Sequence, residues 1–219
     1  MKNRDYKIFA TNGYYHIYNR GNGKIDIFKD VDDYKFFLFR LKENLFPENQ
    51  RTALLQEGRP LTKTVYVRKT LPAGAFSLIA YCLMPNHFHF LIRQNSELSV
   101  SKLISKVCTG YAMYFNKRHE RVGGLLQSKF KAINVDTDSY LQWLSAYIHQ
   151  NPVVAGLAKA PEDYQWSSYL DYLGLRKGIL CEKEFLLKQF HDITGYQRFV
   201  NDSLQKIKER KDLKLLLLD

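Results

Sequence analysis

Residues 80–92 read AYCLMPNHFHFLI. Two apolar runs meet there at Pro85-Asn86, a pair suited to a tight turn. Phe76 to Met84 therefore reads as a buried strand and His87 to Arg93 as its antiparallel partner. Strand alternation sends His87 and His89 to one face and Phe88 to the other. Two imidazoles at i and i+2 can chelate one divalent ion. The same pair also fits a strand with two polar residues on an open face, so alone it decides nothing.

Working outward, YYHIYNR at 14–20 is rich in aromatic and β-branched residues and runs into Gly-Asn-Gly, as a strand ending in a loop does. Asp30 can cap a helix, and Tyr34, Phe37, Leu38, Leu41 and Leu45 then follow at helical spacing until Pro47. Residues 47–75 look irregular, carrying five basic residues against two acids, with some strand character at Val65 to Arg68. A helix is expected from about Ser99 to Lys117 and a strand at Phe130 to Val135. A further helix from about Thr137 to Gln150 should stop near Asn151, because Pro152 disfavours helical geometry in the residue before it. The order β-α-β-β-α-β-α predicts an α+β domain on an antiparallel sheet. Residues 157–219 read as a mostly helical tail, in which KIKERKDLKLLLLD suits an amphipathic closing helix.

The 219 residues are 45% apolar and 14% aromatic, enough for a real core. Lys and Arg number 33 against 22 acids, a net charge of +11 that favours polyanionic partners. Cys82, Cys108 and Cys181 are scattered without metal-type spacing, which suggests reduced thiols in a cytoplasmic protein. The opening MKNRDYKIFATNG lacks a secretory apolar core, and no apolar run approaches the ~20 residues of a membrane span.

Two further features bear on chemistry. Tyr147 and Asn151 stand one helical turn apart, offering a phenol and a neutral oxygen ligand on one face. Taken alone, plain helix packing is the stronger account of Tyr147, since Tyr140, Leu144 and Tyr147 keep helical spacing. Between Val100 and Val135, seven basic residues, among them Arg118, Arg121, Lys129 and Lys131, face a single acid, Glu120. That segment suits either a solvated surface or phosphate binding.

The ordered set YHIYNRGNGKIDIF, AYCLMPNHFHFLI, GLLQSKFKAINV, YIHQNPVVAGLA and WSSYLDYLG resembles the single-tyrosine HUH transposases, most closely the REP-associated tyrosine transposase branch. The resemblance spans about residues 14–173, with 47–75 as an insertion. It implies a ferredoxin-like antiparallel sheet with helices on one face. Residues 1–156 would form the transposase domain and 157–219 a helical extension packed on it. By the same resemblance, His87 and His89 are metal ligands for Mg2+ or Mn2+, and Tyr147 is the nucleophile. Asn151 stands where other single-tyrosine transposases have a Gln ligand. Arg20, Lys129, Lys131, Arg118 and Arg121 are the candidate DNA contacts, and His149 falls outside the site.

The implied activity is a metal-assisted attack of Tyr147 on single-stranded DNA beside a hairpin, leaving a 5′-phosphotyrosine and a free 3′-OH. A domesticated hairpin binder of the same fold is the alternative. A replication initiator or relaxase of the wider HUH group fits less well, since those enzymes set the tyrosine in other sequence surroundings. Both monomers and homodimers are compatible with the family.

Overall fold

The computed structural model describes residues 8–47 and 71–209. Much of the expected 47–75 insertion, including Val65 to Arg68, and the last ten residues lie outside the described range.

Four strands carry the fold: β1 (Tyr14–Arg20), β2 (Phe76–Met84), β3 (His87–Gln94) and β4 (Lys131–Val135). They form one sheet in the order β2-β3-β1-β4, every neighbour antiparallel. Helix α1 (Val31–Leu45) connects β1 to β2 and α2 (Val100–Arg118) connects β3 to β4, which gives the ferredoxin-like plan. Asp30 Oδ1 caps α1 by accepting from the Asp32 and Asp33 amides, and Ser99 caps α2. Alternation decides what each sheet face meets. Tyr15, Ile17, Phe88, Phe90 and Ile92 pack with Phe37, Leu41, Leu103, Val107 and Tyr111, so α1 and α2 share one face.

The opposite face is also covered. Cys82, Met84, Leu91 and Val135 pack against Leu141, Leu144, Tyr147 and Ile148 of α3 (Asp138–Val154). The helices of the ferredoxin-like repeat thus lie on one face as expected, and the Tyr147 helix forms a third layer across the sheet. Helix α3 also runs past the stop expected near Asn151, with Pro152 inside its last turn. At that position proline removes only the bond to Ile148, while the Ala155 amide still reaches the Asn151 carbonyl at 2.9 Å.

Downstream, two four-residue helices, α4 (Tyr169–Tyr172) and α5 (Glu184–Leu187), precede the long α6 (Ile193–Glu209), which packs on α3 through Tyr196 and Val200. Between helices the extension runs along β2, the edge strand. The Leu83 amide donates to Trp166 O at 2.9 Å, Ser168 N to Tyr81 O at 3.0 Å and Glu182 N to Leu78 O at 2.8 Å. A bulge at Leu78–Ala80 frees the Ile79 carbonyl, which accepts from the Tyr172 hydroxyl at 2.7 Å. Over the described residues the extension is mostly helical, as its sequence suggests, and the extended stretches between its helices lie where an open sheet edge takes backbone beside it.

Candidate active site

Register places the site. His87 pairs with Arg20 and His89 with Tyr18 across β3–β1, and Tyr18 pairs in turn with Lys131 of β4. Cross-strand partners share a face, so His87, His89, Arg20, Tyr18 and Lys131 all lie on the α3 side. The β2–β3 turn that presents His87 is held from outside. Ile27 and Phe28 amides donate to Pro85 O at 2.7 and 3.0 Å, and the Gly21 amide to Asn86 O at 2.8 Å. Asn86 Oδ1 lies 2.6 Å from His87 Nδ1, fixing that ring.

Helix α3 brings Tyr147 over these histidines within one chain. Its ring centroid is 5.8 Å from His89 and 6.2 Å from His16, edge-on to both. Trp143, one turn earlier, stacks on Tyr147 at 5.5 Å. Tyr147 is only 1% exposed, so the phenol is sealed beneath the helix. Asn151 is buried and its Nδ2 donates to the Tyr147 carbonyl at 3.2 Å, which leaves Oδ1 to accept from other groups.

His16 was not singled out by its sequence surroundings, yet it enters the site. Its Nε2 lies 2.9 Å from His89 Nδ1, and both rings are fully buried. Burial lowers the His16 pKa to about 3. It also holds His89 well below the usual histidine range, with His87 and His16 adding to the effect. Both are therefore neutral, the form that binds metals. Their signal in sequence was the shared parity of Tyr14, His16, Tyr18 and Arg20, which becomes informative only once β1 is known to pair with β3.

Among the described residues, His89 Nε2 is a buried nitrogen with no hydrogen-bond partner. Such an orphan costs free energy unless something binds it. A donor set of two histidines and one amide oxygen fits a divalent ion that also takes phosphate oxygens. A second group, Asp30, Asp33 and His119, brings its ligand atoms within 4.8 Å of one another. There the Arg118 guanidinium already lies 2.7 Å from Asp30 and 2.8 Å from Asp33, so the cation in that cluster is the chain's own. Arg118 holds the Asp30 carboxyl below the ordinary carboxylate range.

The remaining basic residues are unevenly placed. Arg20 and Lys131 are half-buried on the histidine face, whereas Lys129 is exposed just before β4. Arg121 bonds to Gly123 O near the end of α2, and Arg118 clips α2 to the start of α1 on the other side of the sheet. His149 indeed faces away from Tyr147, into a polar network with Ser168 and Tyr196. No helix among the described residues is long and apolar enough to cross a membrane.

The motifs that carried the family resemblance meet in space. The Asn22 amide donates to Leu125 O at 2.9 Å, Gln127 N to Arg20 O at 2.8 Å and Asn19 Nδ2 to Ser128 O at 3.1 Å. The NRGN loop is thereby tied to the GLLQSKF segment.

Comparison with known proteins agrees. Residues 45–151 match the family model described as IS200-like transposase, a span that contains His87, His89, Tyr147 and Asn151. No curated protein matches the chain in sequence. A solved structure of the REP-associated tyrosine transposase bound to a REP hairpin is similar over 77% of this chain and 83% of its own, at 14% identity and a TM-score of 0.53. A candidate transposase from Deinococcus radiodurans r1 is similar over 68% of this chain and 97% of its own, at 13% identity and a TM-score of 0.37. Over residues 45–151 the chain thus matches the IS200-like transposase family, and its ferredoxin-like plan is the fold of the REP-associated tyrosine transposase.

Proposed function

We propose that the protein nicks and rejoins single-stranded DNA beside a hairpin, with Tyr147 as nucleophile. The observation that carries this reading is the convergence of Tyr147 on His89 from a separate helix, at 5.8 Å between rings. His87, His89 and Asn151 would hold Mg2+ or Mn2+, the histidines through Nε2 and Asn151 through Oδ1. Such an ion withdraws charge from the scissile phosphate and helps to hold it in line. In the step itself the Tyr147 oxygen bonds to phosphorus and gives its proton to solvent, the bond to the 3′-oxygen breaks, and that oxygen takes a proton from solvent to become the 3′-OH. The 5′-phosphotyrosine conserves the bond energy, so a second 3′-OH can reverse the reaction. Arg20 and Lys131 flank the histidines and are placed to bear on phosphate oxygens, with Lys129 and Arg121 further out.

A single-stranded hairpin as substrate is supported by the hairpin held in the structurally similar transposase. Because Tyr147 is sealed, DNA must enter as α3 or Trp143 moves aside. The sealed phenol is also what favours the second reading, a hairpin-binding protein without turnover.

The test is incubation with end-labelled hairpin DNA and Mn2+, followed by a denaturing gel. A protein–DNA adduct is expected, lost in Tyr147→Phe and retained in Tyr140→Phe. An adduct that survives in Tyr147→Phe overturns the assignment. Tight hairpin binding with no wild-type adduct selects the non-catalytic reading.

A further inference from the structure

We infer that His16 is a positioning residue for the metal site: its imidazole accepts a hydrogen bond from His89 Nδ1–H and thereby leaves the His89 Nε2 lone pair to the ion. The inference rests on the proposed metal role of His89 and goes further, assigning a function to a residue of β1.

The argument is one of counting protons. Two neutral imidazoles carry two N–H groups between them, and one of these lies in the 2.9 Å bond from ring to ring. The second proton has two places to go. If His16 donates, His89 keeps its other proton on Nε2 and offers the site an N–H, which no cation can use. If His89 donates from Nδ1, its Nε2 presents a lone pair, and His16 carries its own proton on Nδ1. The two nitrogens at the outer ends of the pair, His16 Nδ1 and His89 Nε2, are the ones left without partners among the described residues. An ion bound at Nε2 therefore selects the second arrangement. Metal-binding histidines commonly give their other N–H to a carboxylate or a carbonyl. Here the acceptor is a second imidazole, buried as deeply as the ligand and stacked beside it with centroids 5.1 Å apart. Its place is secured by register, since His16 lies opposite Leu91 on β3 and Ile133 on β4. A neutral acceptor also adds no negative charge to a pocket that must admit phosphate.

The full chain is titrated with Mn2+ and free ion is followed by electron paramagnetic resonance. His16→Phe keeps an aromatic ring but removes the acceptor, and Mn2+ affinity is expected to fall by about 10- to 100-fold. His16→Gln, whose amide oxygen can accept from His89 Nδ1, is expected to recover most of it. Equal affinity in wild type and a folded His16→Phe overturns the inference. So does a His16→Gln protein that folds as wild type and binds as weakly as His16→Phe. Should His16→Phe not fold, the tautomer is read directly in wild type by long-range 1H–15N spectra with saturating Mg2+. A proton on His89 Nδ1 supports the inference, and an unprotonated His89 Nδ1 overturns it. His87→Ala is the control for the underlying reading: undiminished Mn2+ binding there removes the histidine metal site itself, whatever His16 does.

Discussion

A Cβ on Gly21 would lie 2.1 Å from the Ile25 carbonyl oxygen, with Ile25 C at 3.1 Å. The backbone φ of −60° at Gly21 suits any residue, so glycine is required by close approach rather than by conformation. The loop that would have to move is the one whose amides grip Pro85 and Asn86. Gly21→Ala is therefore expected to lower stability by about 1–3 kcal/mol, as overpacking does, and to weaken Mn2+ binding through the His87 turn. Urea unfolding checks the first effect; an unchanged midpoint would mean that the loop relaxes freely. Single residues differed in how far they could be read. Strand parity could put His87 and His89 on one face, and helix spacing could put Tyr147 one turn before Asn151, but their roles rested on the family resemblance. His16 could not be found that way, because its partner is 73 residues distant and the relation exists only through pairing of β1 with β3.

Helix α3 is gripped on the side away from the candidate site. Ser168 Oγ lies 2.8 Å from His149 Nε2, Tyr196 OH 2.7 Å from His149 Nδ1, and Tyr196 OH donates to Ser145 Oγ at 3.1 Å. With the Ser168 hydroxyl turned to His149 rather than to the Tyr81 carbonyl 3.2 Å away, and Tyr196 accepting, a neutral His149 satisfies both its nitrogens. Burial lowers its pKa from 6.5 to about 3. The unfolded chain then binds a proton that the folded chain refuses, so stability is full above pH 6.5 and declines as pH falls toward 3. The slope from this one residue is at most about 1.4 kcal/mol per pH unit. Urea midpoints of the metal-free protein between pH 4 and 7 should show a steeper decline in wild type than in His149→Gln, and parallel curves would contradict the burial argument. At the other face, Asp33 is fully buried and accepts from Arg118, His119 and the Lys29 amide, tying α1 to α2. Asp33→Ala takes the carboxylate from His119 and the Lys29 amide, leaving Arg118 with Asp30 and Asp32, and is expected to cost about 3 kcal/mol by the same measurement, with Mn2+ binding intact. The elements themselves were largely legible, because caps and periodicity are local. The end of α3 was not, since whether a proline terminates a helix depends on how many bonds it breaks, and in the last turn it breaks one. The course of the extension along β2 was also hidden, as it answers to an edge created by distant residues.

At the scale of the whole molecule the net charge of +11 is not a uniform coat. Arg118 is matched by three aspartates, while Lys131 and Arg20 stand beside the histidines. Hairpin affinity should fall steeply as salt rises, and Lys131→Ala should reduce the slope by about one unit for one lost phosphate contact. Arg118→Ala should leave the slope unchanged. Equal slopes for wild type and Lys131→Ala in a filter-binding titration would move the DNA path off the histidine face. The sheet has two rims, and the chain treats them differently. Along β2 the backbone groups are already taken by residues 166–182, whereas no described strand pairs with the outer side of β4. A sheet open on both rims can grow copy after copy into a fibre. With the β2 rim already covered by the chain's own extension, growth of that kind is closed off along β2.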